Sequence, residues 1–403
     1  MALMPVSDAL TTVLAGVEPL PEDSVPLTEA YHRVLARDLT ARRTQPPEAM
    51  SAMDGYAVRA ADAGKVGAQL TVIGEVAAGR PFAGRLSEGE AVRIFTGGVI
   101  PDGADAVVIQ EDTTAKGQRI TVKEAAVAGR HIRPAGVDFR EGDLLLRGGR
   151  RLTERDLALA AGMNHPQLAV RRRPKVAILA TGDELVMPGS TPGHGQIVYS
   201  NGYALHALAC AEGADTIDLG IAADTVDATT AGIRRARESG ADLLVTTGGA
   251  SVGDHDLVRP ALEAEGVKMA FWKIAMRPGK PMMHGHLGAM RVIGLPGNPV
   301  SSFVCGFLFM VPLIRALSGR DVILHRRERA VLGRDLGAND MREDYLRARL
   351  ETREDGTLMA IPVDHQDSSL LANLAAAQAL LVRAPFAPKA TAGAPCEVLR
   401  LPA

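Results

Sequence analysis

The chain has 403 residues, of which 46% are hydrophobic and 23% are charged, the proportions of an ordinary globular protein. Its 45 basic and 47 acidic residues nearly balance, and aromatic side chains make up only 3%, which excludes a strongly basic nucleic-acid binder and a base-stacking surface. At roughly 100–200 residues per domain, this length predicts about two to four domains.

Neither the cysteines nor the N-terminus indicates secretion. Cys210, Cys305 and Cys396 are widely spaced and form no C-x-x-C pair, which is typical of a reducing compartment. The N-terminus lacks the pattern of a signal peptide. The most apolar run, residues 300–314, is shorter than a membrane span and contains Pro312, so we interpret it as a buried helix. We therefore expect a cytoplasmic protein without a membrane segment.

The N-terminal part changes character twice. Residues 1–43 carry two helix-start patterns and predict helical structure. Residues 70–135 alternate short apolar runs with Gly, Pro and Asp clusters, which is the pattern of β strands with tight turns. Helical periodicity returns at residues 153–161, which we expect to pack on the first helices. We therefore predict a helical N-terminal domain with an inserted β domain, formed by residues 1–45 plus 136–172 and by residues 46–135.

From residue 174 to residue 318, apolar strands alternate with helices, as in a mostly parallel sheet covered on both faces. The predicted strands are residues 176–180, 216–219, 243–246 and 292–295, and the predicted helices are residues 202–211, 225–239, 257–264 and 300–317. Residues 320–403 return to β structure, with a hairpin turn at residues 354–357. The prediction is a multidomain α+β and α/β protein, with a three-layer α/β domain at residues 173–318 and a β domain at residues 319–403.

Chemistry-bearing residues follow the predicted central strands. In an open parallel sheet, ligands bind beyond the carboxyl ends of the strands. Carboxylates follow three of these strands, at Glu184, Asp224 and Asp256. Glycine- or proline-rich turns follow two of them and offer backbone N–H groups to phosphate, through Gly248, Gly249, Ser251, Gly253, Pro296, Gly297, Asn298 and Pro299. Their shared position at four strand ends favours one binding site.

Each feature taken alone also has a structural interpretation. Asp183 or Glu184 is suited to capping a helix, and Asp224 next to Thr225 is equally suited to that role. Asn298 followed by proline is a good helix start. The glycine pair lacks the spacing of a Walker loop or a dinucleotide fingerprint.

A cationic segment lies further along, with Lys273, Arg277 and Lys280 close together. It is either a solvated basic face or, as we favour, a site for a polyanion. Carboxylates that face cations at a phosphate loop indicate Mg²⁺-dependent phosphate chemistry.

Six motifs in a fixed order carry a resemblance to a known family. They are residues 51–59, 93–101, 181–185, 247–256, 273–281 and 294–301. Together they resemble the molybdopterin molybdenumtransferase family, which includes MoeA and the E domain of gephyrin. The central domain alone is shared with molybdopterin adenylyltransferases and CinA-like proteins, whereas the flanking motifs are specific to this family.

The resemblance implies an elongated four-domain subunit with a MogA-like central domain and a C-terminal β-barrel. It implies a homodimer whose active cleft lies between two subunits, with transient contact to the adenylyltransferase. The implied reaction inserts molybdate into adenylylated molybdopterin with Mg²⁺, releases AMP and yields molybdenum cofactor. Two alternatives remain: a scaffold or interaction module of the gephyrin type, and another nucleotide enzyme on the same central fold.

The resemblance also assigns residues. The implied catalytic residues are Asp54, Thr96, Asp138, Glu184, Asp224, Asp256, Lys273 and Arg277, and the implied metal ligands are Glu184, Asp224 and Asp256. The implied binding residues are Gly248, Gly249, Ser251, Gly253, Lys280, Pro296, Gly297, Asn298, Pro299, Arg347 and Ser368. The chain departs from the family pattern at Ala49-Met50, where an acidic-Asn pair is usual, and at Arg277, where Lys is common. Arg is a planar fork and Lys a compact point charge, so the geometry at position 277 is not interchangeable.

Overall fold

A computed structural model describes residues 3–249 and 257–402 of the chain. It contains an N-terminal region of helices and short strand pairs, an inserted six-stranded sheet, a central α/β region and a C-terminal barrel. The predicted multidomain α+β and α/β fold is confirmed. The domain boundaries given above stay predictions.

The N-terminal region is less helical than predicted. Both helix-start patterns open a helical element, but within residues 3–43 these are only the α-helix Val6–Leu14 and the short 3₁₀ turn Leu27–Glu29, so the prediction of helical structure throughout is wrong. The physical reason is the series of prolines after the first helix, because proline has no N–H to donate and blocks helix continuation. Strand pairs take over instead, between Glu22–Pro26 and Gln167–Arg171, Leu39–Thr40 and Leu144–Leu146, and Met50–Ser51 and Ile132–Arg133.

The two N-terminal α-helices lie in different cores. Ala9 and Val13 of the first helix share a hydrophobic cluster with Leu313 of the central region. The second helix, Glu154–Gly162, contributes Ala160 to a cluster built from N-terminal residues alone. The prediction that residues 153–161 pack on the first helices is therefore right for the turn Leu27–Glu29, whose neighbour Ala30 lies in the same cluster, and wrong for the first helix, which packs on the larger apolar surface of the central region.

The inserted region confirms the predicted β structure. Its six strands form one sheet in the spatial order Ala106–Ile109, Gly55–Val58, Glu90–Ile94, Gln69–Val76, Arg119–Val122 and Thr113–Lys116. One helical turn, Ala60–Ala63, and a 3₁₀ turn, Gln110–Asp112, connect strands. Neighbouring residues such as Ala57 and Val58 enter separate hydrophobic clusters because successive side chains point to opposite faces.

The central sheet positions the candidate site. Its spatial order is Asp215–Ala222, Lys175–Thr181, Leu243–Thr247, Met290–Leu295, Pro281–Leu287 and Lys268–Lys273. The first four strands are parallel, as predicted, and the last two add an antiparallel edge that the sequence patterns did not reveal. Separate hydrophobic clusters cover the two faces. The helices are Asn201–Ala211, Val226–Glu238 and Val258–Ala264, and the short strands Leu185–Val186 and Ile197–Val198 pair beside the sheet.

A long apolar helix, Pro299–Leu317, follows the central sheet. Its 19 residues are enough to cross a membrane by length and composition, but 89% of its apolar window is buried within the protein. The predicted core helix is thus confirmed, and it continues through Pro312. A π-helical turn, Gly306–Met310, precedes that proline, and the His325 ring takes up the carbonyl of Phe307 at 2.6 Å.

The C-terminal region is a closed five-stranded barrel, as predicted. The strands are Arg327–Leu332, Glu343–Thr352, Leu358–Pro362, Ala379–Arg383 and Pro395–Arg400, with one short helix, Leu371–Ala375. Pairing between the second and fourth of these strands closes the ring. A short central-region strand, Met276–Arg277, pairs in parallel with the barrel and ties it to the central sheet.

Candidate functional site

A cavity of about 650 Å³ lies beyond the carboxyl ends of the central strands. Ligand pockets in proteins commonly have about 300–1,000 Å³ of volume. The wall includes residues from all four parallel strand ends and from the barrel side, namely Thr181, Gly182, Glu184, Leu185, Ile197, Val198, Tyr199, Ser200, Asn201, Asp224, Thr247, Gly248, Gly249, Pro281, Pro296, Gly297, Asn298, Pro299, Ser369 and Leu371.

The structure thus brings together the predicted residues that follow the parallel strands. They are Glu184, Asp224, Gly248, Gly249, Pro296, Gly297, Asn298 and Pro299. Asp256, Ser251 and Gly253 lie outside the described residues. The shared location has a simple cause, since the carboxyl ends of parallel strands meet at one edge of a sheet.

Asp224 is held by its neighbour from another strand end, not by the helix that follows it. The N–H of Asp183 donates to Asp224 Oδ2 at 3.3 Å, and the N–H of Asp224 donates to Asp183 Oδ1 at 3.0 Å. The hydroxyl of Thr225 caps the helix by accepting from the N–H of Ala228 at 3.2 Å. The alternative interpretation of Asp224 as a helix cap is therefore wrong, and its exposed carboxylate stays at the cavity.

The cavity wall carries two carboxylates that have no basic partner in the described part of the chain. Glu184 and Asp224 are exposed, and neither forms an ion pair with any residue in the described part of the chain. Within residues 3–249 and 257–402, no three His, Cys, Asp or Glu side chains gather as a metal-binding group. The described wall therefore supplies two carboxylates, which suits a cation held partly by a ligand or water.

The glycine turn at the end of the strand Leu243–Thr247 is required by close packing. Gly248 has φ +89°, and a Cβ there would overlap the carbonyl oxygen of Thr181. Gly249 has φ +60°, and its Cβ would collide with Val258. Glycine is therefore required at both positions. Without side chains, the backbone of this turn can come close to a ligand in the cavity and present N–H groups to an anion.

Asn298 differs from its predicted role as a helix cap. Its side chain does not cap the helix that starts at Pro299 but donates from Nδ2 to the Ser368 hydroxyl at 2.9 Å. On the other side of the same turn, Asn201 Nδ2 donates to the carbonyl of Gly297 at 2.7 Å. The turn is thereby fixed between the central region and the barrel.

Sequence reasoning missed several residues of the wall. Tyr199, Asn201, Ser369 and Leu371 line the cavity but do not follow a predicted strand. Tyr199 is buried, and burial raises the pKa of its phenol to about 12, so it stays neutral near neutral pH. Of these four residues, only Asn201 could have been predicted from the sequence, because it follows Ser200 at the start of a helix, next to the strand ends.

The three predicted cationic residues lie in two different environments. Lys273 lies opposite Pro281 in the antiparallel ladder, and Pro281 lines the cavity, so Lys273 is at its margin. Lys280 is exposed beside it. Arg277 instead faces the barrel, where it forms an ion pair with Asp344.

The surroundings of Arg277 are acidic. Besides the pair with Asp344, its guanidinium lies 3.6 Å from Asp340 Oδ2 and donates to Asn339 Oδ1 at 3.2 Å. Asp344 is only 4% exposed, and this burial raises the pKa of its carboxyl although Arg277 opposes the change. Arg277 therefore holds a buried charge at the contact between the central region and the barrel.

Asp54 and Thr96 form a compact pair in the inserted sheet. The N–H and the hydroxyl of Thr96 both donate to Asp54 Oδ1, at 2.7 and 2.8 Å. These two hydrogen bonds, the backbone one first, lower the pKa of the exposed Asp54 carboxyl. Neither residue belongs to the described wall of the cavity. Asp138 is exposed, and its N–H donates to the carbonyl of Gln45 at 3.1 Å, so it too stands apart.

Arg347 and Ser368 belong to the barrel side. Arg347 is 1% exposed, and burial lowers the pKa of its guanidinium. Its Nη2 donates to the carbonyl of Asp367 at 2.9 Å rather than into the cavity. Ser368 lies between Asn298 and Ser369, next to the wall.

Comparison with known proteins covers almost the whole chain. Residues 4–163 match a family model described as the MoeA N-terminal region (domain I and II). Residues 177–316 match a probable molybdopterin binding domain, and residues 329–401 match the MoeA C-terminal region (domain IV).

Relatives and solved structures agree with these matches. Proteins named molybdopterin molybdenumtransferase are 40% identical in Haemophilus influenzae, over 73% of this chain and 72% of the relative, and 34% identical in Bacillus subtilis, over 94% and 90%. Two structures of a MoeA protein from Pyrococcus horikoshii superpose with TM-scores of 0.86 and 0.85 at 30% and 27% identity, covering 99% or more of each chain. The chain therefore belongs to the MoeA family of molybdopterin molybdenumtransferases.

Proposed function

We propose that this protein inserts molybdate into adenylylated molybdopterin, releases AMP and yields molybdenum cofactor. The observation that carries this proposal is the single cavity in which Glu184 and Asp224 face the glycine turn at Gly248 and the turn at Asn298. Carboxylates, close backbone and a helix start form a site for a phosphorylated ligand with a bound cation.

Mg²⁺ fits the described wall. Mg²⁺ is commonly bound through one or two carboxylates together with waters and substrate phosphates, and Glu184 and Asp224 supply two carboxylates without cationic partners in the described part of the chain. We propose Glu184, Asp224 and Asp256 as the metal ligands. When bound, the metal would neutralise charge on the diphosphate linkage.

The chain's own residues bind and orient the anions. Backbone N–H groups of Gly248 and Gly249 are suited to a phosphate, and the start of the helix Pro299–Leu317 adds its positive end. Lys273 and Lys280, at the margin of the cavity, are placed to attract molybdate. Catalysis then consists mainly of positioning and charge stabilisation.

We further propose that the enzyme acts as a homodimer with its active site at the subunit interface. Asp54 and Thr96 are preorganised by two mutual hydrogen bonds but do not belong to the described wall of the cavity in their own chain. A second subunit that presents this pair to the cavity would make the site complete, and Asp138 would act from the same region. Transient contact with the molybdopterin adenylyltransferase would deliver the adenylylated substrate.

The three cysteines support a cytoplasmic location in this proposal. Cys210, Cys305 and Cys396 are all free thiols, as expected in a reducing compartment. Burial raises the pKa of the Cys305 thiol and, to about 11, that of the Cys396 thiol, so neither is suited to act as a nucleophile.

The test is a defined reaction with purified protein. Adenylylated molybdopterin and molybdate should yield AMP and a product that reactivates a cofactor-free molybdenum enzyme, with dependence on added Mg²⁺. Formation of adenylylated molybdopterin from molybdopterin and ATP would instead indicate the adenylyltransferase activity. Absence of both reactions would leave the scaffold interpretation and overturn the proposal.

A further inference from the structure

A short segment, residues 363–371, connects the barrel to the cavity. At its cavity end, Ser369 and Leu371 line the wall. Ser368 is fixed there by two hydrogen bonds, because its hydroxyl accepts from Asn298 Nδ2 at 2.9 Å and its carbonyl accepts from the N–H of Val300 at 3.0 Å. The position of this segment therefore affects both the wall and the start of the long helix.

At its barrel end, the segment is attached by backbone bonds at Val363 and by one side-chain amide. The N–H of Val363 donates to the carbonyl of Arg347 at 2.9 Å, and Arg334 Nη2 donates to the carbonyl of Val363 at 2.6 Å. Gln366 Oε1 accepts from the N–H of Arg347 at 2.9 Å. Gln366 Nε2 donates to the carbonyl of Arg347 at 2.9 Å and to the carbonyl of Val363 at 3.1 Å. The amide thus bonds to both backbone groups of a buried barrel residue, and its N–H shares the carbonyl of that residue with the N–H of Val363.

Other contacts of the segment act differently. The N–H and hydroxyl of Ser369 both donate to Asp367 Oδ1, at 2.8 and 2.6 Å, and Asn373 Nδ2 donates to the carbonyl of His365 at 3.0 Å. These bonds shape the segment internally. Attachment to the barrel comes from the bonds at Val363, from the guanidinium of Arg347 and, nearest to the serines, from Gln366.

We propose that Gln366 is a positioning residue for the reaction. It sets the segment against the barrel and thereby holds Ser368 and Ser369 at the substrate cavity. It is not one of the described residues that line the cavity, so it acts through these serines. This inference rests on the proposed function, because it names the support of the same site.

The test compares two glutamines of the same barrel. Gln366→Ala removes the attachment, and Gln378→Ala removes a similar amide, whose Oε1 accepts from the N–H of Leu350 at 2.8 Å away from the cavity. We expect Gln366→Ala to raise the KM for adenylylated molybdopterin about tenfold with little change in kcat, because binding groups are displaced while the reacting groups stay. Gln378→Ala should leave both constants unchanged.

A second readout does not depend on activity. Because the N–H of Val300 donates to Ser368, its hydrogen exchange should become about tenfold faster in Gln366→Ala and stay unchanged in Gln378→Ala. An active wild type with an unaltered KM and unaltered Val300 exchange in Gln366→Ala would overturn the inference. An inactive wild type with faster Val300 exchange would overturn the proposed function and leave the positioning by Gln366 supported.

Discussion

The edge of the central sheet and the Asp54–Thr96 pair are two acidic sites built in opposite ways. Glu184 and Asp224 come from different strands and meet only because the sheet folds. Asp54 and Thr96 are already joined by two hydrogen bonds within one small sheet. In the part of the chain that the structure describes, the first site is an open cavity whose two carboxylates have no ion-pair partner, and the second is a hydrogen-bonded pair outside that cavity.

This contrast illustrates two roles that a carboxylate can have in an active site. An acid that has no cationic partner among the described residues, as at Glu184, is suited to hold a metal or its waters. An acid fixed by N–H and O–H donors, as at Asp54, keeps its charge and its orientation before any ligand arrives. The first site is suited to binding a cation and the second is preorganised, which is why we propose that they work together across a subunit interface.

The largest effect is expected from substitution of Glu184, beyond the carboxyl ends of the central strands. Glu184→Gln keeps size but removes the charge, so molybdate insertion should fall about 100-fold or more, as when a charge-stabilising group is removed from an active site. Glu238→Gln, the same substitution at the exposed end of a nearby helix, should leave the rate unchanged. Steady-state rates and circular dichroism would check the pair, and a Glu184→Gln enzyme with the wild-type rate would remove this residue from the site.

Mixing two inactive variants tests whether the two sites cooperate between subunits. Asp54→Ala and Glu184→Gln dimers should each be inactive, whereas co-refolded mixtures should recover about a quarter of wild-type activity, because half the dimers are mixed and each holds one intact site. The rate of molybdate insertion by the mixture is measured after co-refolding. If the mixture stays inactive while each variant still dimerises, the two sites act within one chain.

Arg277 offers a third test, since it faces the barrel rather than the cavity. Arg277→Ala leaves the buried Asp344 carboxylate unpaired and should cost roughly 2 kcal/mol of unfolding free energy, less than for a fully buried pair because Arg277 is half exposed.

The penalty of Arg277→Ala should depend on pH. Burial already raises the pKa of Asp344 above its unfolded value, and loss of Arg277 raises it further, so the deficit grows as pH rises and shrinks where Asp344 is protonated. Unfolding in denaturant at about pH 5 and about pH 8 measures this difference. A penalty independent of pH, with a large loss of substrate affinity, would assign Arg277 to anion binding instead.

The smallest effect is expected at the preorganised pair. Thr96→Val removes the hydroxyl donor but keeps the backbone N–H, so the lowered pKa of Asp54 should rise part of the way to its ordinary value. Activity that needs the ionised carboxyl falls as pH drops through this pKa, and the acidic limb of the rate profile should therefore move to higher pH. Thr96→Ser should keep the wild-type profile, and an unshifted limb in Thr96→Val would show that the hydroxyl has no such role.

Sequence patterns predicted the parallel strands and the residues after them, because apolar runs of strand length are strong local signals. They failed for the stretch after the first helix, residues 15–43, where prolines follow and strands form. They also failed for the edge strands Lys268–Lys273 and Pro281–Leu287, which carry polar residues. No sequence pattern indicated Gln366, because its role depends on hydrogen bonds to the backbone of Arg347 in a buried strand.

The order of residues along the chain was enough to determine the parallel strands and helices of the central region, the edge at which we propose that ligands bind, and the family. These follow from local periodicity and from short motifs at strand ends. Only the tertiary structure decided that Asp183 rather than a helix holds Asp224, that Arg277 faces Asp344, and that Gln366 attaches the wall to the barrel. Such partners are distant in sequence, and hydrogen bonds between them depend on positions that are defined only when the whole chain has packed.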